Sequence, residues 1–171
     1  MIFEAYIRAD AGNRIPVSIQ KMQKTDAMET AGTPEWQTDW TSAYITDSPC
    51  EKYAVRTVDS ELIALGMYEI LEKVLVVRIL YMESQPESNP TIAGKKRKYH
   101  GIGKLMVAYG IKLSIDNGFG GDVILEAKTD ALAAHYSKDF GGIALPAFDG
   151  GAPRFLIQGE AAKRIFFDYL K

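Results

Sequence analysis

The chain has 171 residues, 47% of them hydrophobic and 25% charged, with a formal net charge of −2. That length suits one domain that buries its core without disulfides or a structural metal. The near-neutral balance gives no global reason to expect nucleic acid or an anionic membrane as a partner. A single cysteine, Cys50, cannot build a disulfide framework. With only two histidines, His100 and His135, and no Cys/His cluster at ligand spacing, no metal is expected. The first residues, Met1-Ile2-Phe3-Glu4, show no basic leader before an apolar run, and stretches such as residues 74–77 are too short to span a bilayer. A cytoplasmic protein is the expectation.

In chain order, residues 2–8 and 15–20 read as short strands around an Asp10-Ala11-Gly12-Asn13 turn. Trp36, Trp40 and Tyr44 recur every four residues, which predicts a helix over 35–44. Three strand-like runs follow at 52–58, 61–71 and 74–83. Their connections, Asp59-Ser60 and Glu72-Lys73, are too short for crossovers, so antiparallel neighbours are predicted. Residues 84–94, rich in Pro, Ser and Asn, lead into the basic run Lys95-Lys96-Arg97-Lys98. A helix is predicted from near Gly101 to Asn117-Gly118, with Ile102, Leu105, Met106, Tyr109 and Leu113 along one face. Residues 123–127 read as a buried strand, and Thr129 or Asp130 caps a short helix through Phe140. Strands near 143–147 and 154–158 and a helix over 160–170 complete the chain. This order predicts an α+β fold: a mixed, mostly antiparallel central sheet with helices on its faces, in a single domain over residues 1–171. The crossover from 74–83 through the long helix to 123–127 is long enough to be parallel and right-handed.

The segment richest in chemistry is Arg97-Lys98-Tyr99-His100-Gly101-Ile102-Gly103-Lys104-Leu105, which follows a strand and opens a helix. Glycines at 101 and 103 let a ligand approach the backbone closely. The amides of a helix's first turn suit a pyrophosphate, and five cations between Lys95 and Lys104 add positive charge there. A Rossmann fingerprint needs a third glycine where Met106 stands, and an opening βαβ unit in place of a meander. The alternative is a solvated basic loop before an ordinary helix.

The spacing Lys98-x-x-Gly101-x-Gly103 resembles the R/Q-x-x-G-x-G/A acetyl-CoA motif of the GNAT N-acetyltransferases, with Lys at the first position. Tyr136-Ser137-Lys138-Asp139-Phe140-Gly141 is similar to that superfamily's Y-x-K-x-G-F with its last two residues exchanged, and Thr129 matches a cofactor-touching position often filled by Asn. The resemblance covers roughly residues 50–145. More narrowly, Trp36-x-x-Asp39-Trp40, Tyr81-Met82-Glu83-Ser84, Lys98-Tyr99 and His135-Tyr136 occur together in order, as in one bacterial subgroup of the superfamily.

What the resemblance implies is direct acetyl transfer from acetyl-CoA to a primary amine. Acetyl-CoA would contact Tyr81, Met82, Arg97, Lys98, Tyr99, His100, Gly101, Ile102, Gly103, Lys104 and Thr129. Transfer requires a deprotonated amine, a stabilised oxyanion and a proton for the departing thiolate. Tyr136 matches the usual thiolate-protonating tyrosine, against the alternative of a packed core aromatic. Glu83 is the first candidate for general base and Glu126 the second, against the alternative of exposed carboxylates. Trp36 and Trp40 read first as core, and second as walls of an acceptor pocket. His135, next in sequence to Tyr136, points to another helical face and reads as structural or as a substrate-side contact rather than as the base. The acceptor is a small-molecule or protein amine, and a homodimer is left open. Two competing classes are a non-catalytic acetyl-CoA-binding or protein-interaction module on the same fold, and a nucleic-acid module built on Lys95–Lys98. The latter lacks interleaved stacking aromatics apart from Tyr99.

Overall fold

A computed structural model describes residues 2–92, 94 and 96–171, so Lys95 of the basic run lies outside the described residues. The chain divides into two units interleaved in sequence. One takes residues 4–67 and 81–105; the other takes the segment ending at Phe3, 68–80 and 106–171.

The first unit contains strands β1 (Tyr6–Ala9) and β2 (Arg14–Lys21), and the short helices α1 (Lys24–Glu29) and α2 (Ala43–Thr46). It continues with β3 (Glu51–Thr57), most of β4 (Leu62–Leu71), the end of β5 (Val76–Ser84), a 3-10 turn at Pro86–Ser88, β6 (Tyr99–His100) and the start of α3 (Ile102–Asp116). Its hydrogen-bonded strand order is β6-β1-β2-β3-β4-β5. β1 and β2 pair antiparallel with Ile7 opposite Ile15, and β2 and β3 with Ile19 opposite Val55. β2 alternates exposed with half-buried residues, as a strand with one wet face does. In β4, by contrast, every residue from Leu62 to Tyr68 is buried, so both of its faces are covered.

Residues 35–44 are not a helix: the only helical turn there is α2, which begins at Ala43. Trp36 and Trp40 are buried while Tyr44 is 69% exposed, so the four-residue spacing does not mark one face. Side chains capture the backbone groups instead. The Asp39 carboxylate accepts from the amide and hydroxyl of Thr41 at 3.0 and 2.6 Å. The amides of Gln37 and Thr38 donate to Glu83. Side-chain bonds to these backbone groups compete with a helical ladder. α1, which the apolar pattern did not signal, opens where Asp26 accepts from the amide of Gln23 at 2.6 Å. Asp26 also pairs with Arg56 on β3.

The second unit has the strand order β4-β5-β7-β9-β8, with β7 at Val123–Glu126, β8 at Ile143–Leu145 and β9 at Arg154–Ile157. β5 and β7 are parallel, as the long crossover predicts, with Val77 opposite Val123. β9 runs antiparallel to both its neighbours. α3 lies close on this sheet because residue 110 has no side chain: a Cβ on Gly110 would meet Ile79 Cδ1 at 3.1 Å and Tyr68 Cε1 at 3.2 Å. Tyr68 adds a hydrogen bond from its hydroxyl to the carbonyl of Met106, 2.8 Å. The predicted stop holds: Gly118 has φ +79°, and the amide of Phe119 reaches back to Ser114 O at 2.8 Å, closing the last turn of α3. Helices α4 (Asp130–Lys138) and α5 (Gly159–Phe167) complete the unit. Phe3, expected inside the first strand, instead bridges Leu170 and stacks on Phe166 and Tyr169. The architecture is α+β, with a mixed, mostly antiparallel sheet.

Candidate functional site

In the first unit, β5 ends at Ser84, and the chain returns through the 3-10 turn to β6 and the N-terminus of α3. Two backbone bonds fix this return: Gln85 N donates to Ile63 O at 2.8 Å, and Lys98 N to Glu87 O at 2.9 Å. The amide of Tyr99 donates to Ser88 Oγ at 3.1 Å. β6 then pairs with β1, His100 opposite Arg8.

Gly101 has φ +82°, a conformation that glycine adopts without strain. A Cβ at Gly101 or Gly103 would meet nothing within 4 Å, so the space in front of both is open. The first bond of the α3 ladder runs from Leu105 N to Gly101 O at 3.1 Å. The amides before it lie at the positive end of a four-turn helix. Open backbone at a helix N-terminus fits a pyrophosphate.

The cations around the cradle are partly compensated. Lys98 Nζ lies 2.8 Å from a Glu61 carboxylate oxygen, and the Tyr99 hydroxyl donates to the other oxygen at 2.9 Å. Glu61 therefore raises the pKa of Lys98, while burial first and Glu61 second push Tyr99 up. Lys96 pairs with Asp10 at 2.8 Å, and His100 Nε2 lies 3.3 Å from the same carboxylate. The hydrogen bond from Lys96 holds Asp10 below the usual carboxylate range. Arg97 is exposed. The partners Asp10 and Glu61 were invisible in the sequence, because they stand 90 and 37 residues from the groups they bind.

Tyr81, Met82 and Glu83 all fall on the end of β5, as expected. Tyr81 lies edge-on to Trp40 and to Tyr44, at centroid distances of 6.4 and 6.3 Å. The Glu83 carboxylate accepts three hydrogen bonds. Its Oε2 accepts from Gln37 N at 2.6 Å, and its Oε1 from Thr38 N at 3.1 Å and Trp40 Nε1 at 2.9 Å.

The remaining expected residues belong to the second unit. Thr129 caps α4, its hydroxyl accepting from Leu132 N at 3.1 Å. Tyr136 is 3% exposed, stacked with Phe140 and edge-on to Phe155. Burial pushes its pKa up to about 12. Among the described residues its hydroxyl has no hydrogen bond. His135 pairs with Asp139 and packs on Phe140. Glu126 pairs with Arg78 at 2.9 Å. Among the described residues no group of His, Cys, Asp and Glu could hold a metal ion, and no helix is long and apolar enough to cross a membrane.

Compared by sequence, the chain matches no family model and no curated protein. Compared by structure, it has the fold of GNAT-family acetyltransferases. An acetyltransferase from Bacillus subtilis, solved with CoA, superposes with a TM-score of 0.54 at 14% identity, covering 90% of this chain and 99% of that one. A dodecameric spermidine N-acetyltransferase from Vibrio cholerae gives 0.56 at 12% identity, over 83% and 93%. A GNAT-family acetyltransferase from Staphylococcus aureus gives 0.53 at 10% identity, over 82% and 97%.

Proposed function

We propose that this chain is a single-domain, acetyl-CoA-dependent N-acetyltransferase acting on a primary amine, in the cytoplasm and without nucleic acid or membrane as partner. The observation that carries this reading is the open glycine cradle at Gly101 and Gly103, following β5 in a chain with the GNAT fold. The amides of Ile102, Gly103 and Lys104 would bind the pyrophosphate, with Arg97, Lys98, Tyr99 and His100 around it. Lys98 would exchange or share its bond to Glu61 on binding, and Thr129 would lie against the cofactor. Compensation of Lys96 and Lys98 by Asp10 and Glu61 weighs against a nucleic-acid surface.

Acetyl-CoA supplies a thioester whose carbonyl carbon the amine nitrogen attacks as the carbon–sulfur bond breaks. Tyr81 and Met82, on the strand end, would align the pantetheine arm through their backbone groups. Tyr136, with its pKa near 12, is protonated at neutral pH and has a proton to give to the thiolate. The amine sheds its proton to water or to one of the two candidate carboxylates, Glu83 and Glu126, which are engaged by three donors and by Arg78 respectively. The CoA bound to the B. subtilis protein and the amine named for the V. cholerae enzyme support a CoA thioester and an amine acceptor here. The acceptor is a small-molecule or protein amine, and a homo-oligomer, a homodimer in its simplest form, fits the reading.

Two measurements test it. Acetyl-CoA at millimolar concentration is expected to raise the melting temperature by mass action; no shift with acetyl-CoA or CoA overturns the cofactor assignment. Tyr136→Phe is expected to lower turnover by about 10²–10⁴-fold with little change in KM for acetyl-CoA. Full turnover in that variant would leave Tyr136 a packing residue.

A further inference from the structure

From the bonds that converge on its carboxylate, we propose that Glu83 is a positioning residue: it fastens residues 37–40 to the end of β5, and through Trp40 it sets the ring of Tyr81. This builds on the acetyltransferase reading, in which Tyr81 and Met82 lie beside the acyl arm.

The stretch between α1 and α2 has little to hold it. It carries no regular structure, and among the described residues its internal backbone bonds after residue 36 are Trp40 N to Thr38 O at 3.1 Å and Ser42 N to Asp39 O at 3.2 Å. Its anchors come from far along the chain. Glu83 accepts from two successive amides and from the indole N–H two residues further on, across separations of 46, 45 and 43 residues. Thr91 Oγ1 adds a bond to Gln37 Oε1 at 3.3 Å. An ionised carboxylate offers about four lone-pair sites, and this segment occupies three.

A base must have a lone pair free to receive the amine's proton. With three of its sites taken, Glu83 keeps about one for this task, and a proton there would weaken its charge-assisted bonds to the amides of residues 37–38 and the Trp40 indole. The bonded arrangement instead buries the Trp40 ring completely, at 0% exposure, and sets it edge-on to Tyr81. Tyr44, largely exposed, meets Tyr81 from the start of α2. Glu83 thus acts on the acyl side through Trp40 and Tyr81, without itself touching the reacting atoms.

Amide and indole hydrogen exchange, followed by NMR in the full chain, tests the fastening directly. In Glu83→Gln, which keeps the side-chain size, exchange at Gln37 N, Thr38 N and Trp40 Nε1 is expected to speed up by about 10- to 100-fold, the factor given by losing charge-assisted hydrogen bonds. Amides of Val55 and Ile63 in the neighbouring strands should keep their rates. Unchanged exchange at all three groups overturns the proposal, and it is the result expected if Glu83 serves only as a base. A ligand arm tests the functional link. In the wild type the Trp40 indole resonance should differ between the acetyl-CoA and CoA complexes, and in Glu83→Gln that difference should vanish while both still bind. A Trp40 resonance identical in the two wild-type complexes overturns the link from Glu83 to the acyl side. If neither nucleotide binds the wild type, the acetyltransferase reading falls and takes that link with it, while the exchange result still decides the fastening.

Discussion

Tyr136 titrates in a way that its burial makes measurable without any substrate. Its pKa is raised from 10.0 to about 12, and burial of the phenolate is the cause. The folded state therefore holds this proton to higher pH than the unfolded chain does. Its contribution to stability is intact below pH 10 and is lost as pH rises towards 12. At about 1.4 kcal/mol per pH unit, the full loss is about 2.7 kcal/mol, of which about 1.9 has gone by pH 11.5. Tyr136→Phe keeps the stacking on Phe140 and removes the titrating group. Urea unfolding of both proteins at pH 8 and pH 11.5 isolates the effect, because the other tyrosines and lysines titrate alike in each. The variant is expected to gain about 2 kcal/mol relative to wild type between the two pH values. A relative gain below about 0.5 kcal/mol would refute the reasoning, since it would mean that the hydroxyl is well solvated and ordinary in acidity.

Gly103→Asp places a side chain and a negative charge in the open cradle, so acetyl-CoA binding by calorimetry should be lost while the fold survives. Wild-type affinity in that variant would remove the phosphate role from this turn. Gly110→Ala brings a Cβ to 3.1 Å from Ile79 and 3.2 Å from Tyr68, and is expected to lower unfolding free energy by about 1–3 kcal/mol in denaturant. A neutral result would show that α3 shifts off the sheet at little cost.

Most elements of the second half were legible because their signals are local. The apolar face of α3, its Asn117-Gly118 stop and the cap at Thr129 each lie within a few residues of what they control. The long crossover likewise implied the parallel pairing of β5 with β7, which the fold contains. The N-terminal half misled where distant groups decide. Trp36, Trp40 and Tyr44 have helical spacing, yet Glu83, more than 40 residues on, takes the donors of Gln37, Thr38 and Trp40. Similarly, the basic run gave no sign of its partners, because Asp10 and Glu61 are remote in sequence from Lys96 and Lys98. The two-residue strand β6 is too short to leave any periodicity.

Release of the CoA thiol from acetyl-CoA, followed across a panel of amines that includes polyamines, amino acids and lysine peptides, tests the central claim most directly. Amine-dependent release is expected with at least one acceptor class, together with the acetylated amine as product, and Gly103→Asp should abolish it. Acetyl-CoA binding without amine-dependent thiol release across the whole panel would contradict an N-acetyltransferase and leave a cofactor-binding module on this fold.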